Sequence, residues 1–502
     1  MKLFRPRVPL AVLAVATIPL WLSIMDTTIL NVAYDDIVAS LGATLDEVSW
    51  ASTAYLLASI TMLPLTGWVV ARYGRKRLFI ISLLLFALGS LLCGFATTAT
   101  QLGLFRLLQG AGGGLLATLS QSVLIDAYPD EERGEALNLL SVLAMVAPVA
   151  GPIMGGFVLE RFSWPMLFFI NVPLALFTVW LCLDMDIDQK QKSIPGRFSF
   201  RTVLLLFAAL FALQYALQNG QRLDWLSSPE IRWFVIASVV LGGALIVQQL
   251  RTPRPMIDLR LFKNQNFLIG NVLSTVAGAS NYGVAFLGPL FLQQILGFSP
   301  FQTALLTIPA TLGLFIGNRA QAYLSKKISL YLIVPPGMLL LAIALWYNGV
   351  YADLNSFSSI WWLRIVQGIA FGAFVVPIGI MAFATIPKRD VDAASGLFGI
   401  IRQESGVIGI AVIAAMLEGS QDFYFRRLLE DVPKWPVLTH RAAVSQNAIV
   451  ASVSQHAAVL AYQHVFALSA AIVFVLAVLI ALYGFWESLP ARLGNRPARD
   501  PA

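Results

Sequence analysis

Six ionisable side chains stand inside long apolar stretches of this 502-residue chain: Asp26, Arg106, Arg319, Arg364, Arg402 and Glu404. A charge in a hydrocarbon setting costs at least ~2.5–3.5 kcal/mol, so such a group pairs with another or lines a wet cavity. The chemistry open to it is proton exchange, because a small movement of its surroundings changes its affinity for a proton. Asp26 and Arg106 are the leading pair. At 1.5 Å per residue, Asp26 lies about 24 Å along a helix entered near Leu10, and Arg106 about 10 Å down a helix entered near Ala99 from the opposite side. In a core of about 30 Å the two reach similar depth. Desolvation favours the neutral acid and the guanidinium favours the carboxylate, so changing their separation swings proton affinity. Glu404, close to Arg402, is the reserve proton group. The competing reading for all of them is an ion pair that only joins helices. Asn31, Tyr34, Tyr55, Gln109, Asn281, Tyr282, Gln367 and Arg402 are expected to line a substrate cavity, although aromatic residues in such runs also serve as packing.

The elements that position these residues follow from composition and run length. With 58% hydrophobic and 12% charged residues and a mean hydropathy of +0.75, the chain has too little charge to coat a water-soluble globule. Apolar runs near 10–33, 48–71, 78–97, 100–124, 137–159, 165–184, 201–219, 232–250, 267–295, 300–323, 331–349, 358–385, 393–417 and 465–486 predict an all-α membrane protein of fourteen transmembrane helices. Lys2, Arg5 and Arg7 before the first run mimic a secretory signal, but the run reaches spanning length and further spans follow. With both termini cytoplasmic, the 34 Lys and Arg residues divide into 23 cytoplasmic, 7 external and 4 within spans, as the positive-inside rule requires. The net charge of +7 is spread through short loops and forms no clustered basic face, which excludes nucleic acid as a partner.

The chain repeats itself. Arg106-x-x-Gln109-Gly110 matches Arg364-x-x-Gln367-Gly368 at an offset of 258, and Pro129 and Ala136 find Pro387 and Ala394 at the same offset. Two homologous six-helix bundles follow, with a binding site expected at their interface. The predicted organisation is an N-terminal bundle over 8–184, linkers and an inserted helix pair over 185–266, a C-terminal bundle over 267–486 and a cytoplasmic tail over 487–502. The position matching Asp26 is Val284, which makes the proton chemistry asymmetric.

Two further stretches carry backbone chemistry. In Ala147–Gly156, Pro148 and Pro152 each remove a donor, while Gly151 and Gly155 leave a smooth strip for another backbone. That predicts a kinked, closely packed hinge helix. The loop Gly67-Trp-Val-Val-Ala-Arg72-Tyr-Gly74-Arg75-Lys76-Arg77 sets a basic cluster around a glycine. Arg72 and Arg75, with Asp126 and with Asp390 or Asp392, are expected to latch the cytoplasmic side. No GxxxxGK[ST], GxSxG or HExxH sequence occurs, so the chain is read as no enzyme and no ATPase. Cys93 and Cys182 have no metal-ligand spacing, and no cofactor or metal is expected beyond H+ as coupling ion. The loops leave no room for the soluble domain that a membrane receptor or enzyme would need.

Asp26-Thr-Thr-Ile-Leu-Asn31-Val-Ala, Leu65-Thr-Gly-Trp68, Gly151-Pro-Ile-Met-Gly-Gly156, Phe168-Phe-Ile-Asn-Val-Pro173 and Leu261-Phe-Lys-Asn-Gln-Asn-Phe267 resemble the fourteen-span EmrB/QacA drug/proton antiporters of the major facilitator superfamily, with the EmrB branch the nearer match. Gly151-Pro152-x-x-Gly155-Gly156 looks like that family's antiporter motif and the Gly67 loop like its signature loop, with Ala71 where an acid is usual. The resemblance covers nearly the whole chain. It implies the major facilitator fold, proton-driven export of small amphipathic or hydrophobic toxic molecules by alternating access, a place in the inner membrane amid lipid, and partners in an EmrA-like periplasmic adaptor and an outer-membrane channel. Export of one metabolite or siderophore, and uptake by symport, stay open.

The segment 418–464 is expected to be extracytoplasmic, irregular at first around Pro433 and Pro436, then helical from Arg441 to His456. His440, His456 and His464, the chain's three histidines, all fall there. They lack the ligand spacing of a metal site.

Overall fold

The computed structural model describes residues 10–30, 33–127, 147, 150–151, 153–185, 198–253, 255–325, 327–350, 357–387, 391–431 and 446–492. Asn31, Pro148, Pro152, Asp390, Pro433, Pro436 and His440 lie outside them. The protein is all-α. In chain order come α1 Leu10–Ile29, α2 Tyr34–Leu41, α3 Leu45–Met62, α4 Leu65–Tyr73, α5 Arg75–Gly94, α6 Ala99–Ala127, α7 Met166–Phe169, α8 Asn171–Leu183, α9 Phe200–Asn219 and α10 Pro229–Arg251. There follow α11 Gln265–Leu290, α12 Pro300–Leu305, α13 Thr307–Leu324, α14 Leu330–Val350, α15 Phe357–Phe383, α16 Val391–Asp431 and α17 Gln446–Arg492.

Eleven helices among the described residues are long and apolar enough to cross a membrane. The other three expected spans have local reasons to differ. The run 48–71 is divided at Leu63 and Pro64: proline has no N–H to return to Ile60, and Leu63 bonds the Ile60 carbonyl instead at 3.2 Å. In the run 300–323 the break falls at Leu306, where Pro309 cannot bond the carbonyl four residues back. Most of 137–159 lies outside the described residues, although 153–159 are helical.

Local signals set several ends. Thr44 and Glu47 cap α3 reciprocally: the Thr44 N–H donates to Glu47 Oε2 at 2.8 Å and the Glu47 N–H to Thr44 Oγ1 at 3.3 Å. Gly74 joins α4 to α5 at φ +88°, a conformation that side chains resist.

The packing forms two compact units, Met1–Asn264 with Ile386–Gln403, and Gln265–Thr385 with Glu404–Ala502. Within the first, α6 packs on α1, α3 and α5. Within the second, α15 packs on α11, α13 and α14 in the same pattern. Ala99 and Phe357, the first residues of α6 and α15, are themselves separated by the 258-residue offset of the sequence repeat. Of the paired helices α9 and α10, α9 packs on α3. Thr53 Oγ1 donates to Gln218 Oε1 at 2.8 Å, Gln218 Nε2 donates to Ser49 Oγ, and Trp50 packs on Phe211 and Tyr215. Trp233 and Val239 stand exposed on α10, an apolar face suited to lipid.

One expectation needs correction. The stretch 418–431 is regular helix, the continuation of α16 through Asp431, because no proline interrupts it before Pro433. With 41 and 47 residues, α16 and α17 run roughly 60 and 70 Å, about twice the hydrocarbon thickness. Part of each must therefore stand outside the bilayer core. His464 on α17 meets Tyr424 on α16 edge-on, with ring centroids 6.0 Å apart. His456 Nδ1 lies 2.8 Å from the Ser452 carbonyl of its own helix, and no cluster of metal-ligating side chains exists among the described residues.

Candidate functional site

The first unit buries one polar network at the meeting of α1, α3, α5, α6 and α8. Arg106, Gln109, Gly110 and Gly113 fall on one face of α6 by the three-to-four spacing of a helix. A β-carbon at Gly110 would strike the Tyr55 carbonyl of α3, and one at Gly113 would strike the Tyr55 hydroxyl. The missing side chains therefore allow α3 to close on α6. That closeness sets the Tyr55 ring 4.4 Å from the Arg106 guanidinium carbon, with the Phe168 ring at 5.7 Å. Both rings attract the cation.

Asp26, 1% exposed, and Arg106, 0% exposed, form an ion pair through Oδ2 and Nη1. Asp26 Oδ1 accepts from Gln109 Nε2 at 2.8 Å and from Asn171 Nδ2 at 3.1 Å. Arg106 also donates through Nε to the Ala51 carbonyl at 3.2 Å and through Nη1 to Gln109 Oε1 at 2.7 Å. Gln109 Nε2 further donates to Ser90 Oγ at 2.7 Å. Three side chains thus donate to the Asp26 carboxylate. Arg106 Nη2 has no partner among the described residues.

A cavity of about 270 Å³ reaches this network from one side, lined by Thr17, Trp21, Met25, Met154 and others and ending at Asp26 and Asn171. Thr17 Oγ1 and Trp21 Nε1 in its wall have no protein partner among the described residues.

The hinge stretch touches the same helix. A β-carbon at Gly151 would meet Thr28 Oγ1, with the Met25 carbonyl at 3.2 Å and the Ile29 nitrogen at 3.4 Å. Those residues bracket Asp26. Gly151→Leu is expected to displace this turn of α1 and cut gradient-driven efflux at least tenfold, while the protein still inserts, since insertion follows hydrophobicity. Normal efflux by a well-expressed Gly151→Leu protein would refute the link between hinge and ion pair.

The other expected site residues are distributed as follows. Tyr55 and Gln109 belong to the buried network. The hydroxyl of Tyr34, half-buried on α2, lies 2.7 Å from Ser52 Oγ. Asn281 and Tyr282 are exposed on α11, with Gly406 packed against the Tyr282 ring. Glu404 is buried on α16, whereas Arg402, two residues away and so on the opposite side of the helix, is exposed. Gln367 is buried on α15 and accepts from Arg364 Nη1 at 3.0 Å. In the signature loop, Gly67 is on α4, Arg72 is exposed against Tyr73, and Arg75 is buried at the start of α5. Asp126 sits on the last turn of α6. Gly155 is buried and Gly156 half-buried.

Sequence reasoning overlooked Asn171 and Ser90. Asn171 was visible only as part of the stretch Phe168–Pro173; its signal is an amide alone in an apolar run, which must find a partner. Ser90 gave less, since a hydroxyl in a helix can bond its own backbone.

The family model described as the Major Facilitator Superfamily matches residues 18–410. The multidrug export protein EmrB of Haemophilus influenzae is 30% identical, over 88% of this chain and 87% of its own. The protein of the same name from Escherichia coli K12 is 31% identical, over 82% of this chain and 81% of its own. Among solved structures, a bacterial homologue of the human lysosomal transporter Spinster, crystallised inward-facing and unoccupied, superposes with a TM-score of 0.60. It covers 99% of this chain and 100% of its own, at 16% identity, and so speaks to the fold alone.

Proposed function

The chain belongs to the Major Facilitator Superfamily, and on that premise we propose that it is a proton-driven secondary exporter of amphipathic or hydrophobic toxic compounds, working by alternating access. It is a multi-pass membrane protein and a transporter. The reading of its cargo is supported by the multidrug export proteins that resemble it over four-fifths or more of its length.

The observation that carries the coupling is the buried pair Asp26–Arg106. Arg106, Gln109 and Asn171 all donate to the Asp26 carboxylate in this state. Moving α1 relative to α6 or α8 changes which of those donors meet Asp26, and the exchange of its proton would follow that movement. An alternation between these states takes a proton on one side and releases it on the other. Substrate binding in the proton-free state and proton binding in the substrate-free state then compete, which is antiport.

The test is efflux from proteoliposomes, run with a cationic and with a carboxylate-bearing fluorescent amphipathic probe. Export is expected to require an imposed proton gradient, to collapse with a protonophore, and to be matched by substrate-evoked proton release from the detergent-solubilised protein. Export indifferent to the protonophore would overturn the reading.

The same reading places the chain in the inner membrane with both termini cytoplasmic. It supplies an EmrA-like periplasmic adaptor and an outer-membrane channel as partners, with the outer ends of α16 and α17 as the docking region. A photo-crosslinker at exposed Arg427 is expected to capture the adaptor in intact cells. Capture only of lipid or of a second copy of this chain would count against that partner.

A further inference from the structure

The second unit repeats the carboxylate-holding part of the first without a carboxylate. In the first unit Arg106 Nη1 donates to Gln109 Oε1, which turns Gln109 Nε2 toward Asp26 Oδ1. In the second, at the 258-residue offset, Arg364 Nη1 donates to Gln367 Oε1 at 3.0 Å, the same bond in the same sense. Gln367 Nε2, however, has no partner among the described residues, although Gln367 is only 3% exposed. No carboxylate among the described residues pairs with Arg364. The position corresponding to Asp26 is Val284, itself buried.

The geometry is prepared on the α11 side as well. A β-carbon at Gly288, one turn beyond Val284, would lie 2.8 Å from Arg364 Nη2 and 3.0 Å from Nη1. The guanidinium therefore rests against α11 where the helix has no side chain. Arg364 also keeps partial exposure, whereas Arg106 keeps none. A buried amide donor without a partner and an adjacent cation without a counter-charge, as both stand among the described residues, are expensive. An anion arriving from outside the fold would satisfy both.

We propose that Arg364 and Gln367 form a receptor for the carboxylate of an amphipathic substrate, the anion accepting from them as Asp26 accepts from Arg106 and Gln109. The guanidinium and the Gln367 amide are the donors, and the substrate's apolar body lies along the helices. The first unit then manages the proton and the second reads the charge of the cargo. This assignment rests on the exporter reading for its use of the word substrate, but its physical content is a binding site and is measured without a gradient.

The test is titration of the full-length protein in lipid nanodiscs with decanoate and with decan-1-ol, corrected with empty nanodiscs. Wild type is expected to bind decanoate more tightly than the alcohol. Arg364→Gln should weaken decanoate roughly 10- to 100-fold, the loss of charge-assisted hydrogen bonds, and leave decan-1-ol within about twofold. Val284→Asp supplies an internal carboxylate and should weaken decanoate similarly with the arginine intact. Arg364→Lys keeps the charge and loses the fork, so it should fall between wild type and Arg364→Gln. Should Val284→Asp fail to fold, the Arg364 pair decides. Equal affinity of wild type for the two probes, equal affinity of wild type and Arg364→Gln for decanoate, or parallel loss of both probes would overturn the proposal. Charge-dependent binding without gradient-driven export would sink the exporter reading alone, and export with charge-blind binding would sink the carboxylate receptor alone.

Discussion

Asp26→Asn is expected to bind substrate within about threefold of wild type yet to reduce gradient-driven efflux to the level seen with a protonophore. Substrate-evoked proton release should vanish as well. The reasoning begins with what asparagine preserves. Its oxygen can still accept from Gln109 Nε2 and Asn171 Nδ2, the two bonds now made by Asp26 Oδ1. Its amide nitrogen, however, faces Arg106 Nη1, donor against donor, where Oδ2 made the ion pair. A buried cation left without its partner costs about 3–5 kcal/mol. The single variant should therefore also be less stable, and that loss must be separated from loss of coupling. Asp26→Asn combined with Arg106→Gln removes both charges and should recover much of the stability, a non-additivity expected of contacting residues. Coupling should remain absent in the double variant, because no group is left to carry the proton. If Asp26→Asn exports normally against a gradient while Glu404→Gln does not, the proton group lies on α16 and the assignment to α1 is wrong.

The pairing of Asp26 with Arg106 was legible because depth in a membrane helix is set by residue count alone. Two charges counted from opposite faces to the same level have few ways to avoid each other in hydrocarbon. The repeat was legible for a similar reason, since Arg106, Gln109 and Gly110 recur as a set with Arg364, Gln367 and Gly368. Asn171 and Ser90 were not legible as site residues. Which helix face they occupy depends on how α5 and α8 rotate against α1 and α6, and rotation is decided by packing rather than by hydropathy. The breaks at Pro64 and ahead of Pro309 show the opposite limit. Apolar runs report the length of a span and pass straight over a missing backbone donor. The continuation of α16 through Asp431 was misread on the strength of prolines that come after it. Tyr55, marked for a cavity wall, lies against the Arg106 guanidinium, a contact that composition cannot reveal.

Valine at Gly110 or Gly114 is expected to abolish both the folded protein and its transport, whereas valine at Gly103 on the same helix should leave both near wild type. A β-carbon at Gly114 would lie 2.5 Å from the Cα and carbonyl oxygen of Ser59, and one at Gly110 would strike the Tyr55 carbonyl. These obstacles are backbone, so no rotamer relieves them, and α3 must move bodily away from α6. The movement would stretch the Ser59 Oγ bond to the Gly110 carbonyl, now 3.0 Å, and the Arg106 Nε bond to the Ala51 carbonyl. Nothing lies within 4 Å of a β-carbon at Gly103. Overpacking costs about 1–3 kcal/mol even where side chains can yield, and here they cannot. The readouts are the monomer peak of the solubilised protein, its melting temperature in detergent, and efflux. Gly113→Ala provides the intermediate case. Its β-carbon would meet the far end of the Tyr55 side chain, with Cζ at 2.9 Å, and that ring can swing aside. This variant should fold but lose the aromatic face beneath Arg106, lowering efflux several-fold with little change in melting temperature. A Gly114→Val protein that folds and exports like wild type would show that α3 and α6 are not held at backbone contact, and the geometry that brings Tyr55 to Arg106 would have to be abandoned with it.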